Sequence, residues 1–123
     1  MLEEIELFMK HRADFGFETT LAGRGHLNLV RRLKELSYTV RFFYLWLPTP
    51  DLALQRIHER VSRGGHDVPE AVVQRRFARS INNFLVHYRP IADEWILFDN
   101  SGAALSVIAL QKEGKLRILE TKR

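Results

Sequence analysis

Two stretches of this sequence carry residue types at spacings that suit chemistry on a phosphorylated ligand. The first is "DFGFETTLAGR", residues 14–24, where a short apolar run ends in Glu18, two threonines and an arginine. A carboxylate at the end of a core strand can accept hydrogen bonds from substrate hydroxyls. Thr19 or Thr20 can add a hydroxyl, and Arg24 a positive fork. The second is "RVSRGGHDVPEAVVQRRF", residues 60–77, where arginines stand on both sides of a glycine pair. Between Arg56 and Arg79 there are six arginines (56, 60, 63, 75, 76, 79), three acids (Glu59, Asp67, Glu70) and no lysine. Arginine without lysine favours two-point recognition of phosphate or carboxylate. Plainer readings stand beside both: Glu18 as the cap of the following helix, and the arginines as a solvated helix face.

The glycines at 64–65 give the second stretch a flexible turn between two helices. A helical hairpin of this kind over about residues 56–80, carrying arginines, can close on phosphates, add charge where a transferring phosphoryl group develops it and exclude water. His66 and Asp67 lack a third ligand nearby, so no metal site is expected from protein side chains. The chain has no G-x-x-x-x-G-K-[ST]. The nearest glycine pattern, "GRG" at 23–25, lacks both the lysine and the hydroxyl.

The elements that must hold these residues alternate helix and strand. Residues 2–12 predict a helix with Leu2, Ile5 and Met9 on one face, and 15–19 a short strand. Residues 26–36 predict a helix with Leu29, Leu33 and Leu36 in a stripe. Seven of the eight residues from Val40 to Leu47 are apolar or aromatic, which predicts a strand over 39–48 buried on both faces. Thr49 and Pro50 open the next helix, and Leu54, Ile57 and Val61 form its inner stripe. Asp67 and Glu70 read as a capping box for a helix with Val73, Phe77, Ile81 and Phe84 inside. Residues 94–99 predict a strand, and 105–110 with 115–120 a terminal hairpin around Glu113-Gly114. The alternation predicts a three-layer α/β domain with a parallel sheet, in which ligands bind beyond the carboxyl ends of the strands.

A length of 123 residues suits one domain, and 46% hydrophobic content can fill its core. The net charge of +4 permits an anionic ligand without requiring nucleic acid. The arginine cluster also lacks interleaved aromatics, so nucleic acid is not expected. The absence of cysteine excludes disulfides and thiolate chemistry. No apolar run is long enough to span a bilayer, and the amphipathic "MLEEIELFMK" is not a secretory signal, so a cytoplasmic protein is expected.

Taken together, "FGFETTLAGR", "YLWLPTPDLALQRIHERVSRGGHDVPEAVVQRRFARS" and "YRPIADEWILFDNSG" resemble the zeta toxin family of P-loop kinases, over about residues 12–102. The resemblance implies a nucleotide-kinase-like core, ATP with Mg2+ as cofactors, and a small-molecule acceptor. Characterised toxins of the family phosphorylate UDP-N-acetylsugars, and an antitoxin protein is a possible partner on the same ground. It implies substrate binding at Glu18 and Thr20, with Arg24 the nearest match to a following arginine. It implies phosphate and transition-state roles for Arg63 and Arg76, with Arg75 competing, and a place near the nucleotide base for Asn100 in "DNS". The family's P-loop and the upstream acid assigned as general base have no counterpart here.

The resemblance further implies an N-terminally truncated P-loop fold: the C-terminal portion of a longer kinase, begun at an internal methionine. The strand missing from the middle would leave the edges of "FETT" and "FFYLWL" unpaired. The alternative function is a catalytically inactive paralogue that holds a nucleotide sugar or a protein partner.

Overall fold

The computed structural model describes residues 2–19 and 21–119. Two N-terminal helices, α1 (Leu2–Lys10) and α2 (Leu27–Glu35), precede strand β1 (Arg41–Trp46). Helices α3 (Pro50–Ser62) and α4 (Glu70–Asn83) follow, then a π turn over Phe84–Tyr88 and a 3-10 turn over Arg89–Ile91. The chain closes with β2 (Glu94–Asp99), β3 (Ser106–Lys112) and β4 (Lys115–Ile118). No helix among the described residues is long and apolar enough to cross a membrane.

The helices follow their sequence signals closely. Ile5 and Met9 of α1 are buried, and Leu33 of α2 packs with them; the side chain of Leu2 is outside the described set. Thr49 caps α3, its Oγ1 accepting from the Leu52 N–H at 3.2 Å, with Pro50 in the first turn. The expected capping box at Asp67 does not form. Asp67 Oδ1 accepts instead from the neighbouring Val68 N–H, and α4 starts only after Pro69, whose carbonyl accepts from Val72 and Val73. The hairpin turn at Glu113 and Gly114 has φ of 54° and 76°, the positive pair that a type I′ turn requires.

The sheet differs from the three-layer parallel arrangement expected of a nucleotide-kinase-like fold. Its order is β1-β2-β3-β4, and only β1 and β2 run parallel; β2–β3 and β3–β4 are antiparallel. Residues 15–19 are not a strand. They carry Gly16, and no strand among the described residues lies beside them to complete a ladder. They dock instead through aromatic rings: Phe15 stacks on Phe8 at 5.3 Å and meets Tyr38 edge-on at 5.9 Å, and Phe17 lies 5.4 Å from His26.

Nor is β1 buried on both faces. Phe42 and Tyr44 point to the core, whereas Phe43 is 64% exposed and Leu45 52%. Register puts Ile96 and Phe98 beside them on the same face, and neither buried cluster includes any of the four. The main buried cluster therefore lies on one sheet face, and a small mixed four-stranded sheet with four helices replaces the three-layer parallel one. A continuous apolar run marks a strand as able to be buried twice; whether it is depends on a second covering layer that periodicity does not report.

The main core lies between that face and α2, α4 and the π turn. Phe84 and Tyr88 are fully buried there with Val30, Trp95 and Ala109. Phe84 stacks on Tyr44 at 4.7 Å and meets Trp95 edge-on at 5.9 Å. Burial raises the pKa of the Tyr44 hydroxyl above its ordinary value of 10.0, opposed by its hydrogen bond with Ser80 Oγ at 2.7 Å. Burial likewise raises that of Tyr88. A raised tyrosine pKa means that the unfolded state loses its proton first, so stability falls as pH rises past about 10. Melting temperatures taken upward from that pH should decline, and Tyr44→Phe should flatten the decline. An unchanged slope in the variant would place the titration elsewhere.

Candidate functional site

A groove of about 1430 Å³ opens along β1. Its walls are segment 12–19, the whole of β1 with its flanks (39–47), and the helical hairpin through Ala53, Ile57, Arg60, Val73, Arg76 and Phe77. Both alternating side-chain sets of β1 line it, so the groove follows the edge of the strand rather than one face. Val40 and Trp46 turn their carbonyls toward β2, accepting from Glu94 and Asn100. Alternation then turns the backbone groups of Arg41, Phe43 and Leu45 to the free edge, into the groove.

Glu18 and Thr19 enter this groove from segment 12–19, and Arg60 and Arg76 from the hairpin. Glu18 is exposed, and Phe15 and Phe17 on either side of Gly16 pack inward, so the in–out alternation of the sequence survives without a ladder. The loop that follows is pinned from the core. Asn83 is 5% exposed, and its side-chain amide donates to the Leu21 carbonyl at 2.7 Å. The Tyr88 hydroxyl donates to the Gly23 carbonyl at 3.1 Å. Leu21 is buried with φ of 55°, a left-handed conformation costly for leucine and held here by that packing.

On the hairpin, α3 ends in a Schellman motif. Gly64 donates to Val61 O at 3.0 Å and Gly65 to Arg60 O at 2.9 Å, with Gly64 at φ of 95°. A methyl group on Gly65 would lie 2.7 Å from Arg60 Cγ. The glycine pair of the sequence thus has two separate causes: Gly64 for its dihedral, and Gly65 for the space that the stem of Arg60 occupies. Neither Arg60 nor Arg76 has a carboxylate partner among the described residues. Arg12 and the exposed carboxylate of Asp14 line the same groove, and guanidiniums beside solvated carboxylates can bind a ligand that carries both phosphate and hydroxyl groups.

The remaining sequence candidates lie elsewhere. Arg63 caps the end of α3, and Arg75 is an exposed residue of α4; neither lines the groove. Arg24 is exposed in the pinned loop, outside it. Asn100 is tied through its backbone, donating to Trp46 O at 2.8 Å and accepting from the Arg56 guanidinium at 2.8 Å. Beside it, Asp99 is buried and accepts from the backbone and hydroxyl of Ser101. Thr20 lies outside the described residues. Arg60 carried no individual assignment in the sequence. The one signal that could have found it is Gly65, at the position of a Schellman motif that packs on the third residue from the helix end.

Among the described residues no group of three or more His, Asp or Glu is placed to hold a metal ion, and the sequence has no lysine-bearing glycine loop of the G-x-x-x-x-G-K-[ST] kind.

No family model matches the chain, and no solved structure matches it. It is similar to an uncharacterized protein of Haemophilus influenzae, 30% identical over 69 residues. That alignment covers 56% of this chain and 49% of the relative. The chain spans about half the length of the curated relative it matches.

Proposed function

We propose that this chain is the acceptor-and-lid portion of a zeta-toxin-like small-molecule kinase, working in the cytoplasm. On its own it binds a phosphate- and hydroxyl-bearing acceptor such as a UDP-N-acetylsugar without transferring phosphate. The observation that carries this reading is the convergence of Glu18 with Arg60 and Arg76, far apart in sequence, on one groove. Glu18 takes the acceptor hydroxyls, and the two arginines take its phosphates. Phosphoryl transfer is nearly all positioning and charge neutralisation, and this sequence has no G-x-x-x-x-G-K-[ST] to supply them, so no turnover is expected of it alone.

The test is calorimetric titration of the purified chain with UDP-N-acetylglucosamine and with ATP, alongside an ATP-turnover assay. The sugar nucleotide should bind, and no ATP should be consumed. Glu18→Gln should weaken that binding by about tenfold, the loss of one charged hydrogen bond. It should leave stability within about 0.5 kcal/mol, as for an exposed substitution. Absence of binding would remove the acceptor role, and clear turnover of ATP would overturn the division of labour. A large stability loss in Glu18→Gln with unchanged binding would make Glu18 a structural residue.

A further inference from the structure

We propose that Asn83 and Tyr88 are positioning residues for Glu18: they hold the loop that follows it, and α4 joins that hold to Arg76. The proposal rests on the function read above and assigns the geometry of that same site to two core side chains.

The chain of contacts starts beside the carboxylate. Thr19 Oγ1 accepts from the Leu21 N–H at 3.3 Å, closing a turn directly after Glu18. The Leu21 carbonyl accepts from the Asn83 side-chain amide at 2.7 Å, and the Gly23 carbonyl from the Tyr88 hydroxyl at 3.1 Å. That hydroxyl also has a hydrogen bond with the backbone of His26, so it ties down both sides of the turn into α2. Asn83 is 5% exposed and Tyr88 fully buried. Buried polar groups whose partners are met rigidify what they touch. Leu21 shows that something here is held: its φ of 55° is costly for leucine and persists only where the surroundings impose it.

Helix α4 links this hold to the phosphate side. Arg76, Ser80 and Asn83 stand at i, i+4 and i+7, which places them on one helix face. Arg76 lines the groove with Glu18. The Ser80 hydroxyl meets the Tyr44 hydroxyl of β1 at 2.7 Å, and Asn83 reaches Leu21. One helix therefore carries the arginine in its first half, is fastened to the sheet by Ser80, and holds the acceptor loop at its end. The span between a ligand's phosphates and its hydroxyls is set by that helix and not by the exposed segment 12–19 alone.

Calorimetric titration with UDP-N-acetylglucosamine and with UDP tests the positioning. Tyr88→Phe keeps the ring and removes the hydroxyl. It should weaken binding of the sugar nucleotide about threefold, the loss of a neutral hydrogen bond, and leave UDP unchanged. Combined with Glu18→Gln, the total loss should be about tenfold, that of Glu18→Gln alone, rather than the product of about thirtyfold expected of independent sites. Asn83→Ala, where alanine suits a helix end, should repeat this pattern, so a folding failure in one variant leaves the other to decide. Losses that multiply, or an equal weakening of UDP, make the two residues structural and overturn the proposal. A lowered melting temperature with unchanged affinity for both ligands overturns it as well. If the unaltered chain fails to bind UDP-N-acetylglucosamine, the function proposed above falls and this proposal with it. Multiplying losses on a chain that does bind strike this proposal alone.

Discussion

Phe84→Ala should destabilise the chain by about 3–5 kcal/mol, the range for a fully buried aromatic cut to a methyl. Phe84 is 0% exposed and sits where every layer of the core meets. It stacks on Tyr44 and faces Phe42 and Trp95 edge-on, so its loss empties the space between β1, β2 and the π turn. A domain of this size has a total stability of about 5–15 kcal/mol, so the variant should be partly unfolded at room temperature. Phe84→Leu keeps more of the volume and should cost less. Urea unfolding checks both: the midpoint should fall while the slope stays constant. A loss under about 1 kcal/mol would mean that the ring does not bridge these elements.

That core explains what the sequence could and could not reveal. The stripe Val73, Phe77, Ile81 and Phe84 was legible because a helix face repeats at its own period and needs no knowledge of its partner. The π turn over Phe84–Tyr88 was not, since "FLVHY" continues the same apolar pattern while one extra residue enters the turn. For β1, the run Val40–Leu47 located the strand correctly and misjudged its surroundings. Burial on a second face belongs to whatever packs there, and among the described residues Phe43 and Leu45 remain more than half exposed. Residues 15–19 show the complementary case. Their alternation placed Phe15 and Phe17 inward and Glu18 outward, but a strand exists only when a neighbour completes its ladder, and that is a long-range fact.

The candidate site divides in the same way. Glu18 was legible as a carboxylate ending an apolar run. Its geometry depends on Asn83 and Tyr88, which hold the loop at Leu21 and Gly23 from far along the chain. An amide and a phenol inside a helical apolar stripe read as ordinary core-edge residues until the carbonyls they bind are known. The arginines were legible as a cluster, not as individuals. Helical periodicity gives each a direction only relative to its own helix, and the turn at Gly64 and Gly65 decides which of them meets β1.

Removing Arg60 and Arg76 together should weaken the binding of UDP-N-acetylglucosamine by about 100-fold or more. A hydrogen bond to a charged group contributes about 1.5–3 kcal/mol, so two lost contacts multiply into that range. Both side chains are exposed and unpaired among the described residues, so each alanine should change stability by no more than about 0.5 kcal/mol. Lysine at either position keeps the charge and loses the planar fork, and should restore only part of the affinity. Arg63→Ala decides between two sources of expectation. The resemblance assigns Arg63 a phosphate role, whereas the groove takes in Arg60 in its place. If the groove is the phosphate site, Arg63→Ala should bind as the unaltered chain does, and Arg60→Ala should lose about tenfold or more. Gly65→Ala should follow Arg60→Ala in binding, because the added methyl would lie 2.7 Å from Arg60 Cγ and displace its stem. Titration calorimetry on the single variants, with melting curves as the control for folding, separates these outcomes. A loss confined to Arg63→Ala would move the phosphate site off the groove and onto the tip of the hairpin.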